Sequence, residues 1–184
     1  MRKSSRGSRR ENGVTNIVEF GPTMWIVFSM ITFPLLAFGT IGLRYAFVNN
    51  AVQYAAEAAA QSNTFLVNSD ATHLSAVNAA NTVITNSAAG WTGVTVNSIT
   101  TSIVIGPYSG GTVTSQTAPL SNAQMATLNS NLYTCEVRIN TSIQPLFPQH
   151  NLNGTLASVP GLNAPITTTV SSQRVFETPS GLNK

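Results

Sequence analysis

At 184 residues the chain has room for one modest domain plus an anchor, and too little for two catalytic domains. Charged residues are 8% of it, against roughly 25% in an average soluble protein. Ser, Thr and Asn together supply about a third of the chain, which excludes a strongly charged enzyme surface and a disordered acidic or basic chain. One cysteine, Cys135, excludes an intramolecular disulfide framework and a Cys-based zinc cluster, and two His with six acids argue against a metal-dependent enzyme.

The net charge of +3 is unevenly placed. Residues 1–13 carry Arg2, Lys3, Arg6, Arg9 and Arg10 against Glu11, a balance of +4, and the rest of the chain balances to −1. Five cations without interleaved aromatics make a weak nucleic-acid site, so no nucleic-acid partner is expected. Between Glu19 and Arg44 no charged side chain occurs for 24 residues, Phe20 to Leu43. At about 1.5 Å per residue, Met24 to Leu43 alone covers roughly 30 Å, the hydrocarbon thickness of a bilayer. A buried core helix is the competing reading, but a protein this small offers few apolar neighbours to surround it. The sequence therefore predicts a transmembrane helix over 20–43, with membrane lipid as its partner.

The flanks set the orientation. Positive charge precedes the span and only Arg44 follows closely, so residues 1–19 read as a basic cytoplasmic leader or tail and 44–184 as an extracytoplasmic domain. Trp25 and Tyr45 suit the two interfaces, and Pro34 mid-span predicts a mild kink. Ala37-Phe38-Gly39 resembles a small-x-small signal-peptidase site, but the apolar run exceeds a typical signal core of about 7–15 residues. Arg9-Arg10 invites a twin-arginine reading that Glu11-Asn12-Gly13 does not continue.

Helix is expected to run on from Thr23 to about Asn63, because Ala51 to Ala60 has high helix propensity and no breaker. Its Ala-rich face suits packing against another long helix, or else covering the protein's own sheet. A second, amphipathic helix is predicted over Asp70 to Ala88, capped by Ser69 and ended by Gly90, with Leu74, Val77, Asn81, Ile84 and Ala88 on one stripe. Period two follows from Val94 to Ile105, with a phase slip near Asn97-Ser98 that marks a bulge or turn. Residues 132–143 form the clearest strand: Tyr133, Cys135, Val137, Ile139, Thr141 and Ile143 share one face. Pro145 and Pro148 open a loop that runs through Pro160-Gly161 to Pro165, and Ile166 to Glu177 reads as a last strand. The fold class is α+β: a long transmembrane helix extended outside the membrane, a second amphipathic helix, and a small antiparallel sheet of three or four strands.

Chemistry is sparse. Asp70 and His73 lie three apart with no third ligand spaced to complete a site. His150 stands in a Pro- and Asn-rich loop, and the sequons at Asn140 and Asn153 matter only in a eukaryotic secretory route. No phosphate-cradling loop, nucleophile elbow or close carboxylate pair occurs. No catalytic residue, metal site or cofactor is expected, and the chain is not read as an enzyme. Glu19, at the start of the span, is the one charge with an unusual address. Asn16 and Glu19 fit a capping box at a helix start; alternatively, the carboxylate pairs with the α-amino group of a neighbouring, trimmed subunit.

Gly13 followed by Val18-Glu19-Phe20, the apolar span, Arg44, the helix extension Asn50 to Tyr54-Ala55-Ala56-Glu57, and a late Pro145-Leu146-Phe147-Pro148 together resemble the TadE/TadG-like pseudopilins of the tight-adherence (Flp) pilus machinery. The likeness covers the first 65 residues and the strands loosely. It implies a single-pass protein of the bacterial inner membrane, N-terminus cytoplasmic and C-terminal domain periplasmic, acting as a structural or assembly subunit in building a type IV pilus. Its implied partners are a prepilin peptidase, other pilin-like subunits and the pilus assembly platform. Carried over, Gly13 precedes the scissile bond, Val14 becomes the new N-terminus, and Glu19 with Phe20 makes the subunit charge-pairing site. Five residues separate Gly13 from Glu19 where the family pattern has four, and Gly21-Pro22 interrupts the apolar run. The alternative is a signal-cleaved secreted or membrane-tethered binding protein with a Thr/Asn-rich β domain.

Overall fold

The structure is a computed structural model and describes residues 11–70, 72–146, 160–161 and 164–184, with the backbone alone for 11–19. The expected leader residues 1–10, and His150 and Asn153 of the loop, lie outside the described residues.

One helix, α1 (Glu11–Ala60), dominates the chain. It starts well before Thr23, so Asn16 and Glu19 lie inside it and do not form a capping box at its start. Pro22 and Pro34 both lie within it. Each removes a backbone donor, which helices tolerate where surrounding contacts replace the lost bond. The hydroxyls of Ser29 and Thr40 donate back to the Trp25 and Leu36 carbonyls, both at 2.8 Å, so neither demands an outside partner.

The helix changes character along its length. From Phe20 to Phe47 nearly every large side chain is exposed, Trp25 at 74%, Phe28 at 71% and Met30 at 73%. This stretch is long and apolar enough to cross a membrane. At Val48 a buried stripe begins: Val48, Ala51, Val52, Ala55, Ala56, Ala59 and Ala60 repeat at three- and four-residue intervals, while Gln53, Tyr54 and Glu57 stay outside. The stripe is small because the neighbours come close. Of the two partners expected for it, the protein's own elements take the place: the second helix and strands of the sheet pack there.

The second helix, α2 (Ala76–Ala88), is six residues shorter at its start than the sequence predicts. Ser69 does not cap it. Ser75 does, accepting from the Asn78 backbone N–H, and the carboxylate of Asp70 caps a separate turn by accepting from the backbone of Thr72 and His73 at 2.7 and 2.8 Å. The buried side is Ala76, Ala79, Ala80 and Ile84: it keeps Ile84 of the predicted stripe and otherwise turns small residues inward, which close approach to the alanines of α1 favours.

Four strands follow: β1 (Val94–Pro107), β2 (Thr114–Gln116), β3 (Asn131–Ile143) and β4 (Ile166–Val175). They form one antiparallel sheet in the order β2-β1-β3-β4. The phase slip at Asn97-Ser98 is a register shift between Val96 and Ser98 inside an unbroken β1. On the helix side, Ile103 opposes Cys135, and Ile139 lies between Ile99 and Val170. On the other face Glu136 lies between Ser102 and Gln173, Arg138 between Thr100 and Ser171, and Asn140 between Ser98 and Thr169. That face is a lattice of neutral hydroxyls and amides with one ion pair, Arg138 to Glu136 at 3.0 Å.

The C-terminal turn closes the core. Leu182 is fully buried, its carbonyl accepts from Leu120, and the Lys184 carbonyl accepts from Phe65 and Leu66 at 2.9 and 2.8 Å. A Cβ on Gly181 would lie 1.7 Å from the Asn63 carbonyl oxygen, so only glycine fits. Gly181→Ala should therefore destabilise the head by about 1–3 kcal/mol through overpacking against backbone. Gly106→Ala, where nothing lies within 4 Å of the new methyl, serves as the near-neutral comparison in the same thermal melt.

Candidate functional site

The residues singled out for processing and pairing lie at the open end of α1. Gly13, Val14 and Glu19 are helical in backbone, and their side chains lie outside the described residues. Phe20 is described and is 63% exposed. The structure brings no other described element to this end of the helix, whose contacts with α2, β3 and β4 belong to its opposite half.

The site that the structure does assemble is the junction between the exposed half of α1 and the head. Three contacts make it. Ala37 is buried at 6%, the first such residue in the apolar run. Gly161, with φ +84°, lies so close that an added Cβ would stand 3.2 Å from Ile41 Cδ1 and 3.3 Å from Phe38 Cε1. Arg44 reaches across from α1 to donate to the Gln144 carbonyl just beyond β3, and its guanidinium lies over Gly93. At Gly93, with φ +75°, a Cβ would stand 2.6 Å from Arg44 Cζ. Glycine is needed there twice over, for the left-handed backbone and for the approach of the cation.

Arg44 makes no salt bridge among the described residues. Its partner is a carbonyl dipole, which orients the guanidinium without neutralising it. Sequence reading placed Arg44 correctly as the charge that ends the apolar run, but its reach of 100 residues to Gln144 has no local signal.

The other chemistry-bearing residues are structural. Asp70 and His73 form an exposed pair at 2.8 Å in a turn rather than on a helix. The Thr72 hydroxyl and backbone, followed by His73, hold the Asp70 carboxyl well below the usual carboxylate range. Because the folded pKa is depressed, the turn is favoured above the ordinary carboxylate pKa and loses that support as acid approaches the lowered value. Cys135 is fully buried among Ile103, Val137 and their neighbours, and burial, with a smaller contribution from Glu136, pushes its thiol up to about 12. No cluster of three or more His, Cys, Asp or Glu able to hold a metal ion occurs among the described residues.

No protein-family model, curated protein or solved structure matches this chain.

Cys135 supplies a direct check on the packing. At pH 8 a thiol-specific aromatic disulfide should leave the folded protein unmodified and titrate one thiol after denaturation. Rapid modification of the folded chain would place Cys135 outside the core.

Proposed function

We propose that this chain is a single-pass membrane subunit of a pilus-assembly system, anchored by residues 20–43 with its α+β head on the far side from the basic N-terminal segment. The observation that carries the reading is the continuity of α1. One helix supplies both an exposed apolar half and the stripe on which the head is built, and the head rests on that half at Ala37, Phe38 and Ile41.

That continuity weighs against cleavage at Ala37-Phe38-Gly39. Removing the run there takes away a buried alanine and Phe38, one of the side chains that lie against Gly161. Positive charge before the span and little after it supports an N-terminus left in the cytoplasm. On this reading Gly13 and Val14 flank the bond cut by a prepilin peptidase. Glu19 and Phe20 meet the trimmed α-amino group of a neighbouring pilin-like subunit. A carboxylate at the edge of lipid is costly without a cation beside it. A subunit with this role needs no cofactor and performs no catalysis.

In its native host the protein should remain in the membrane pellet after alkaline carbonate washing. Mass spectrometry of the purified chain should find a new N-terminus at Val14 or nearby. Glu19→Ala should leave membrane insertion intact while reducing assembled pili at least about tenfold, the scale set by about 1.4 kcal/mol of lost pairing. Normal piliation from a chain that keeps Met1 and tolerates Glu19→Ala rules out the processing and pairing roles. Release by carbonate removes the membrane anchor itself.

A further inference from the structure

We infer that the groove beside Arg44 is a binding site for an anionic membrane phospholipid, with Arg44 taking the phosphate and the apolar walls taking the start of an acyl chain. The inference rests on the proposed membrane anchorage of α1. The groove has a volume of about 560 Å³ and lies where α1 leaves its apolar run. Thr40, Leu43, Arg44 and Phe47 form its floor along one face of α1, and Trp91 and Leu146 form walls from the turn after α2 and the segment after β3.

Three observations choose the occupant. The first is height. Counting about 1.5 Å per residue from Phe20, Thr40 stands roughly 30 Å up, one hydrocarbon thickness, and Arg44 about 6 Å beyond, within the headgroup layer. The groove therefore opens at the depth where a phosphate sits above its acyl chains. The second is charge. Arg44 is half-buried, has no carboxylate partner among the described residues, and uses one N–H on Gln144, which leaves further donors of its planar fork for a phosphate oxygen. The third is the wall. Trp91 is half-buried, and its indole N–H has no hydrogen-bond partner among the described residues, the amphipathic arrangement that suits a ring at a lipid interface. Leu43 and Phe47 stay 57% and 50% exposed beside it, a cost in water and none against an acyl chain.

The test uses the full-length chain purified in a nonionic detergent. Native mass spectrometry follows bound lipid as phosphatidylglycerol or phosphatidylcholine of equal chain length is added. The wild-type protein should retain phosphatidylglycerol about five-fold more tightly, the effect of one cation at a lipid surface. Arg44→Ala should abolish the preference and Arg44→Lys should keep part of it. Since Arg44 also ties the head to the helix, Thr92→Glu provides a second variant: Thr92 is exposed, lines the groove and would set a carboxylate against the phosphate while leaving Arg44 in place. Its melting curve should match wild type, and its preference should vanish.

Equal binding of the two lipids by wild type overturns the inference, as does a preference that survives in folded Thr92→Glu. Displacement of the lipid by millimolar inorganic phosphate also overturns it, because the acyl wall would then contribute nothing. A chain that resists carbonate extraction but shows no lipid preference sinks this inference alone, whereas a chain released by carbonate sinks the anchorage with it.

Discussion

The structure depends on one constraint: α1 must satisfy two different surroundings with a single unbroken backbone. From Phe20 to Phe47 its large apolar side chains are mostly exposed, and the head meets them at the junction around Ala37, Phe38, Ile41 and Arg44. Above Val48 the same 3.6-residue repeat presents alanines and two valines to α2 and the sheet. A helix can make this change without a hinge, because its backbone hydrogen bonds are internal and indifferent to what lies outside. The alanines decide the rest. They allow close approach, which forces small residues onto the facing side of α2 and leaves the larger apolar groups, Ile84, Ile103 and Ile139, to fill the space between helices and sheet.

What could be read from the sequence divides along the same line. Period-two segments with one apolar face declared themselves, so β3 (Asn131–Ile143) covers the expected 132–143, with Cys135 in the core, and the slip in β1 is a bulge. An antiparallel sheet of three or four strands and the α+β class were legible for that reason, and the sheet has four. β2 was not: three residues, Thr114–Gln116, are too few to show a period, and its pairing to Ile103, Val104 and Ile105 is a tertiary fact. The start of α2 misled because Ser69-Asp70 looks like a cap and first turn. Asp70 instead bonds Thr72 and His73 locally, the competing use of a short acidic side chain. The buried stripe of α2 was misjudged by taking the three- and four-residue spacing from Leu74: only Ile84 of that stripe is buried, and Ala76, Ala79 and Ala80 take the other places beside the Ala-rich helix.

The candidate site was half visible. A basic segment, an acid and an uncharged run form a local pattern, and Glu19 and Arg44 mark its two ends in the sequence alone. What joins Arg44 to Gly93 and Gln144, or Gly161 to Phe38 and Ile41, spans from about a quarter to about two thirds of the chain and leaves no periodic trace. Only the structure shows that Gly93 and Gly161 have positive φ and lie close to α1 side chains.

These long-range contacts give the junction its consequence. The head touches the apolar half of α1 through Gly161, through the buried Ala37 and through the Arg44 clamp, and α1 itself continues into the core without a flexible linker. A domain on a glycine- or serine-rich tether could turn freely about its anchor. Here rotation of the head about the helix requires repacking the alanine stripe, and tilting requires breaking the clamp. If residues 20–43 lie in lipid, the polar face of the sheet and the groove beside Arg44 are held at set heights above the bilayer. That geometry suits a subunit whose surface must meet neighbours in register more than one that samples a wide volume, and it follows from small residues and two glycines rather than from any charged network.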